Sequence, residues 1–307
     1  MSKREVTVVT AFFDIGRESF GSELSRSNEK YLEYFKFWAR MKNKLVVFTF
    51  PAMAERVREV RNEFGLEDRT EIIVIDDIYA VEAELHSRMT QVAASEEFLK
   101  FRYMPNPADN NADYDYIMLL KAWFLKEAAE KGYADGMLCW LDFGFNHGGD
   151  VFSNSEEFDF TLNVDFPMDK VTLFSLNNYD NKPIFHIIED YSVYMMGAPI
   201  YVSADMAAEL WGDVKKSMES LLDVGFLDDD QTLLLMASLR NPERYNIIKS
   251  DWFMPLKEYG GEHLTVARKP KAKPALIDRV LKNYRIYKRN RRCIKNLESM
   301  FKRNDLL

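Results

Sequence analysis

The chain has little that could staple, span or bind metal by pattern alone. Two cysteines in 307 residues, Cys139 and Cys293, lie far apart and in unlike surroundings. They form neither a disulfide framework nor a zinc pattern, and a reducing cytoplasm is the expected location. The four histidines are not spaced as a zinc site. No apolar run reaches the length of a membrane span. Met1 to Val6 leads straight into a strand pattern, which leaves no room for a secretory leader. Glycine number is low, at 13, and no Gly-x-Gly-x-x-Gly occurs, so a dinucleotide fold is not expected. Gly16 and Gly21 have phosphate-loop spacing, but Ser22 stands where that loop needs lysine. Asp142-Phe143-Gly144 matches a kinase metal triplet without the His-Arg-Asp loop or glycine-rich loop a kinase requires. No Gly-x-Ser-x-Gly elbow occurs.

What remains is an ordinary globular composition, 47% hydrophobic and 29% charged. The charge is divided unevenly. Residues 268–307 hold 14 Lys+Arg against 3 Asp+Glu, so this segment carries +11 and residues 1–267 carry −19. An acidic body argues against nucleic acid as a partner. The basic segment opens on the only clear linker, Arg268 to Pro274. Beyond it Ile277, Val280, Tyr284, Tyr287, Ile294, Leu297 and Phe301 recur at three- or four-residue spacing, with Arg291 interrupting the stripe between Tyr287 and Ile294. This predicts a basic amphipathic helix over 275–303, suited to an anionic membrane surface, to the acidic body or to a second subunit.

In the body, apolar β-branched strands alternate with helical periodicity. Strands are predicted at 5–13, 45–50, 71–75 and 137–141, with helices at 29–41, capped by Asn28, 52–64, 82–103 and 116–131. This is the pattern of a parallel sheet covered by helices. Further on, strands are expected at 171–176, 185–188 and 199–202, and helices at 204–223 and 231–239. The expected division is a single domain over 1–267, with a nucleotide-binding half to about residue 150 and an acceptor half from 151, followed by the tail.

The richest stretch runs from Cys139 to Asp150. A buried strand ends on Asp142 and passes into glycines. Ligands of open α/β sheets bind beyond the carboxyl ends of the strands. A carboxylate there is able to hold a hard divalent cation that bridges phosphate oxygens. Arg17, after the first strand, and Lys121, on a helix with Leu120 and Trp123, are cations suited to a diphosphate. In Asp228-Asp229-Asp230, Asp229 or Asp230 can act as general base. The same run also reads as a helix cap, and the two roles are compatible.

Four pieces together, Thr10 to Arg17, Leu119 to Trp123, Trp140 to Gly144 and Asp228 to Leu234, resemble the WlaTC/HtrL family, also called HtrL/YibB, of bacterial glycosyltransferase-type proteins. The resemblance spans roughly residues 5–265. It implies a GT-A-like, Rossmann-type mixed sheet flanked by helices, and transfer of a sugar from a UDP- or GDP-linked donor to a bacterial surface glycan or lipid-linked glycan. It implies donor contacts at Thr10, Ala11, Phe12, Arg17, Lys121, Asp142 and Gly144. It also implies a Mn²⁺ or Mg²⁺ cofactor on Asp142, with Asp150 and His263 as candidates to complete the coordination. The chain departs from the usual Asp-x-Asp at Gly144, so Asp142 is the motif's sole acid. Expected with this are a cytoplasmic location, peripheral at the inner membrane, and a homo-oligomer as a candidate assembly. The rival expectation is a non-catalytic nucleotide- or glycan-binding protein with a membrane-surface tail.

Overall fold

The computed structural model describes residues 3–19, 25–101 and 111–267, with Tyr287 and Arg291 beyond them. The predicted tail helix over 275–303 lies outside the described residues. Met1–Ala267 forms one compact unit. The first half runs β1 (Arg4–Phe12), α1 (Asn28–Trp38), β2 (Leu45–Thr49), α2 (Pro51–Asn62), β3 (Thr70–Val74), α3 (Ala83–Ala93), α4 (Glu96–Phe101), α5 (Ala112–Glu130) and β4 (Met137–Trp140). The second half runs β5 (Asn163–Val164), β6 (Val171–Ser175), α6 (Ile184–Asp190), β7 (Ile200–Ser203), α7 (Ala207–Leu222), α8 (Asp230–Arg240), β8 (Tyr245–Lys249) and α9 (Met254–Glu258).

The sheet has the order β3-β2-β1-β4-β7-β6-β8, with β5 pairing the start of β1. The first four strands are mutually parallel. Strand β7 is antiparallel to both β4 and β6, while β8 is parallel to β6. The expected mixed α/β sheet flanked by helices is therefore what forms.

Side chains alternate across this sheet, and the alternation divides the core in two. Val9, Val46, Phe48, Leu138 and Trp140 pack with α5, α7 and α8. Val6, Val8, Leu45, Val47, Met137 and Cys139 pack on the other face with α1 and α2. Strands buried on both sides explain why their sequences are continuous apolar runs.

Three local expectations differ from the structure. The predicted 82–103 helix is interrupted at Ala94 and Ser95, because Ser95 Oγ accepts a hydrogen bond from Phe98 N (3.3 Å) and starts α4. The cap of α1 is Ser27, whose side chain accepts from Lys30 N, so Asn28 is its first helical residue. Residues 185–188, expected as a strand, lie in α6. There Ile184, Ile187 and Ile188 repeat at helical spacing behind Pro183, and Phe185 is exposed. No described helix is long and apolar enough to cross a membrane.

Candidate functional site

Strands β1 and β4 are parallel neighbours, with β2 continuing the sheet on one side and β7 on the other. Beyond their carboxyl ends lies a cleft of about 550 Å³. Strand β1 and the residue after it deliver Ala11, Phe12 and Phe13 to it, and the turn after β4 delivers Asp142, Phe143 and Gly144. Helix α5 contributes Tyr114, Ile117, Met118 and Lys121, and the start of α8 contributes Asp230 and Gln231.

Lys121 is the hub. Helix α5 is fixed by Asn111, whose side chain caps the N–H groups of Asp113 and Tyr114, and by its buried Leu119, Leu120, Phe124 and Leu125. This packing buries Lys121 to 3% exposure and aims its ammonium at three acceptors. Nζ lies 2.9 Å from Asp142 Oδ1, 2.8 Å from Asp230 Oδ2 and 3.3 Å from the Gly197 carbonyl. An ammonium has three protons, so all are engaged. Burial alone would lower the Lys121 pKa, but the Asp142 and Asp230 carboxylates outweigh it and hold the pKa above the ordinary lysine value. Asp230 is itself 4% exposed. Burial raises its carboxyl above the usual range; Lys121 opposes the shift and the nearby Asp142 adds to it.

The three aspartates before α8 separate by role. Asp229 is the cap, accepting from Gln231 N at 3.0 Å. Asp228 Oδ2 accepts from Thr232 Oγ1 at 2.7 Å. Only Asp230 lines the cleft.

Asp142 differs from Asp230 in access: its side chain is 44% exposed. Its Oδ1 takes both Lys121 and the Trp140 indole N–H, the latter at 2.8 Å. Also in the lining, Arg17 Nη1 donates to Tyr31 Oη at 2.7 Å, and its guanidinium lies 5.2 Å from the centre of the Tyr114 ring. Arg26 joins it in the lining.

No three His, Cys, Asp or Glu side chains gather as a metal cage among the described residues. The donor set still fits a divalent cation of the kind that shares a phosphate ligand, because such ions take one or two carboxylates and complete their shell from phosphate oxygens and water. Asp142 is a cleft carboxylate with a partly exposed side chain, 44%.

The chain matches a family described as a bacterial protein of unknown function, HtrL/YibB, over residues 4–259. It belongs to the HtrL/YibB family. It is 27% identical over 268 residues to Protein HtrL of Escherichia coli (strain K12), covering 82% of this chain and 91% of that protein. Among solved structures, mouse xyloside xylosyltransferase 1 in its apo form aligns at 13% identity and a TM-score of 0.42, covering 83% of this chain and 93% of that chain. The PaToxG glycosyltransferase aligns at 11% identity and a TM-score of 0.35, covering 78% and 71%.

Every residue that lines the cleft falls inside the HtrL/YibB match. Of the residues expected from sequence, Ala11, Phe12, Arg17, Lys121, Asp142, Gly144 and Asp230 meet there. Thr10 does not: its side chain is fully buried beneath the strand end. Asp229 is turned into its own helix turn. Asp150 stands outside the lining, paired with His147 Nδ1 at 3.4 Å. His263 is not among the cleft residues. It is exposed, lies beyond the family match, and has Nε2 2.8 Å from the Glu157 carbonyl and its ring against Phe160.

Sequence reasoning missed Arg26, Tyr31, Tyr114, His147, Gly197, Trp252 and Phe253 as cleft residues. His147 carried a signal, since it sits five residues after Asp142 inside a glycine-rich turn. Gly197 and Trp252 carried none, because only the tertiary fold brings their segments to the cleft.

Proposed function

We propose that this HtrL/YibB protein is a glycosyltransferase that moves a sugar from a nucleotide-diphospho-sugar, UDP- or GDP-linked, to a bacterial surface glycan such as lipopolysaccharide. The observation that carries this reading is the Lys121 bridge between an accessible carboxylate, Asp142, and a buried one, Asp230, on the floor of a cleft walled by Arg17 and Arg26.

Glycosyl transfer develops positive charge at the anomeric carbon and negative charge on the departing diphosphate. Fixed cations aimed at the leaving group are worth most in a water-poor cleft. Arg17 and Arg26 supply them, and the guanidinium geometry suits phosphate oxygens. A divalent cation, when bound, adds charge neutralisation at the same diphosphate, and Asp142 is the cleft side chain that would hold it. Lys121 fixes both carboxylates, so that neither needs to reorganise during the reaction. Asp142 takes hydroxyl protons of the sugar or ribose as hydrogen bonds. Asp230, whose carboxyl is raised by burial, is the general base for the acceptor hydroxyl. Tyr31 and Phe12, 4.9 Å apart between ring centres, offer apolar faces beside the arginines.

The charge of the last 40 residues supports a location at an anionic membrane surface, where lipid-linked acceptors reside. The experiment is release of UDP or GDP from a panel of nucleotide-sugars with water as acceptor. Turnover in wild type that collapses in Asp230→Asn is the expected result. Absence of turnover, with no nucleotide raising the melting temperature, would sink the reading.

A further inference from the structure

A second cavity, of about 500 Å³, is lined by Asn177, Asn178 and Asp180 after β6, by Tyr194, and by Lys249 at the end of β8. Strands β4 and β6 are both antiparallel to β7, so they run the same way, and β8 runs with β6. The cavity therefore opens at the same edge of the sheet as the cleft beyond β1 and β4. Two chain segments serve both. Tyr194 lines the cavity and Gly197 the cleft; Lys249 lines the cavity and Trp252 the cleft. Each pair is three residues apart, a reach of at most about 11 Å between Cα atoms.

The end of β6 fixes both segments through the backbone. Leu176 N donates to the Tyr194 carbonyl and Met196 N to the Phe174 carbonyl, each at 2.8 Å, and Ser250 N donates to the Ser175 carbonyl at 3.0 Å. The polar groups of the cavity are set in the same way. Tyr194 Oη donates to Asp180 Oδ1 at 2.6 Å, its ring meets Tyr179 edge-on at 5.4 Å, and Asn177 Nδ2 donates to the Val193 carbonyl at 3.4 Å. Asn178 and Lys249 are exposed. A carboxylate, two amides and an ammonium supply acceptors and donors together. Hydroxyl groups, which both give and take hydrogen bonds, match such a mixture.

Trp252 stands where one segment passes from the cavity to the cleft. It is 42% exposed, whereas tryptophan is on average well buried. Its neighbour Phe253 anchors the turn, holding a left-handed φ of 65° while its ring packs edge-on against Phe145 at 5.2 Å. An open indole beside polar groups offers a broad apolar face with a polar rim, the surface on which the C–H face of a sugar ring stacks.

We infer that the Asp180, Tyr194 and Lys249 cavity is a remote sugar subsite, and that the acceptor is an oligosaccharide laid along the sheet edge from Asp230 past Trp252 to Lys249. The inference rests on the glycosyltransferase reading and gives its acceptor a length: a chain of sugars, gripped away from the hydroxyl that reacts. Binding energy from such remote sugars is available to orient the reacting end.

The test presents full-length protein to a printed array of oligosaccharides released from bacterial lipopolysaccharide, with the matching mono- and disaccharides. Captured glycans are then measured by calorimetry. Wild type should hold the longer glycans and not the monosaccharides. Asn178→Ala/Lys249→Ala, both at exposed positions, should weaken oligosaccharide binding by about tenfold or more, as expected for two lost hydrogen-bonding contacts. Its melting temperature should match wild type. Lys131→Ala, which removes an exposed lysine at the far end of α5, should keep the wild-type affinity. Unchanged affinity in the double variant overturns the subsite, as does binding of monosaccharides as tightly as oligosaccharides. The two readings fail separately. Donor turnover without capture of any oligosaccharide removes the subsite and leaves the transferase. Capture of oligosaccharide by a protein that neither binds nucleotide nor turns over donor removes the transferase and leaves the subsite.

Discussion

A Cβ on Gly197 would lie 2.1 Å from Asp230 Oδ2 and 3.0 Å from Lys121 Nζ. The glycine thus leaves the room in which the buried carboxylate sits, while its carbonyl accepts the third proton of the ammonium. Its φ is not left-handed, so the backbone itself tolerates alanine. Gly197→Ala should therefore act through overpacking alone, at a cost of about 1–3 kcal/mol. The larger effect falls on chemistry. Displacing Asp230 by about an ångström should lower donor turnover on the order of 10²-fold. A melting curve and a turnover assay on one preparation check both; full activity would mean that Asp230 works from another position.

Lys121→Met leaves Asp230 buried without its cation. Breaking a buried pair this way costs about 3–5 kcal/mol, whereas removing both charges is often close to neutral. The double variant Lys121→Met/Asp230→Asn should then be more stable than Lys121→Met alone, as read by denaturant unfolding. The pH dependence follows from the same pair. The folded-state pKa of Lys121 lies above the ordinary 10.5. Its contribution is therefore complete below that value and is lost as pH rises beyond it toward the folded pKa. Wild type should lose stability more steeply above about pH 10.5 than the double variant.

The parallel half of the sheet was legible because its strands are buried on both faces and read as unbroken apolar runs. The strand ends followed, and with them Phe12 and Asp142. Lys121 was legible too, from its apolar neighbours on α5. Other features were not. Strand β8 at the sheet edge buries Tyr245 and leaves Ile247 half exposed, a pattern too weak to announce itself. Helix α6 is short, and its isoleucines satisfy a strand template as well as a helical one. The late histidine, His263, fits the resemblance by position, yet it packs against Phe160 and is not among the cleft residues. The histidine that lines the cleft is His147, on a turn whose run of positive φ angles single-residue propensities do not encode.

The two adjacent acids Asp229 and Asp230 should separate cleanly on substitution. Asp229 accepts from Gln231 N and stands at the head of α8. Asp229→Ala should cost about 1 kcal/mol of stability with turnover within a few-fold of wild type. Asp230→Asn keeps the size of the side chain and removes the base, so turnover should fall by about 10² to 10⁴. Nucleotide affinity should change little in either, because both acids are remote in role from the arginines. Equal loss of turnover in the two variants would show that the cap, through the geometry of α8, rather than the base controls the rate.

The tail poses the last question, and charge alone frames it. Residues 268–307 carry +11 against −19 in the rest of the chain. Each basic residue close to an anionic surface contributes about 1 kcal/mol, and the attraction fades over roughly a Debye length. Fourteen such residues outweigh three acids, so full-length protein should float with phosphatidylglycerol-containing vesicles at low salt. It should dissociate as salt is raised, and it should ignore vesicles of neutral lipid. The acidic body should be repelled, and a chain ending at Ala267 should stay in solution throughout. The opposite outcome is equally readable. Equal flotation of the two chains would place membrane contact on the body. No flotation of either, with a lower melting temperature or a changed oligomeric state on truncation, would show that the basic segment answers the acidic body or a second subunit.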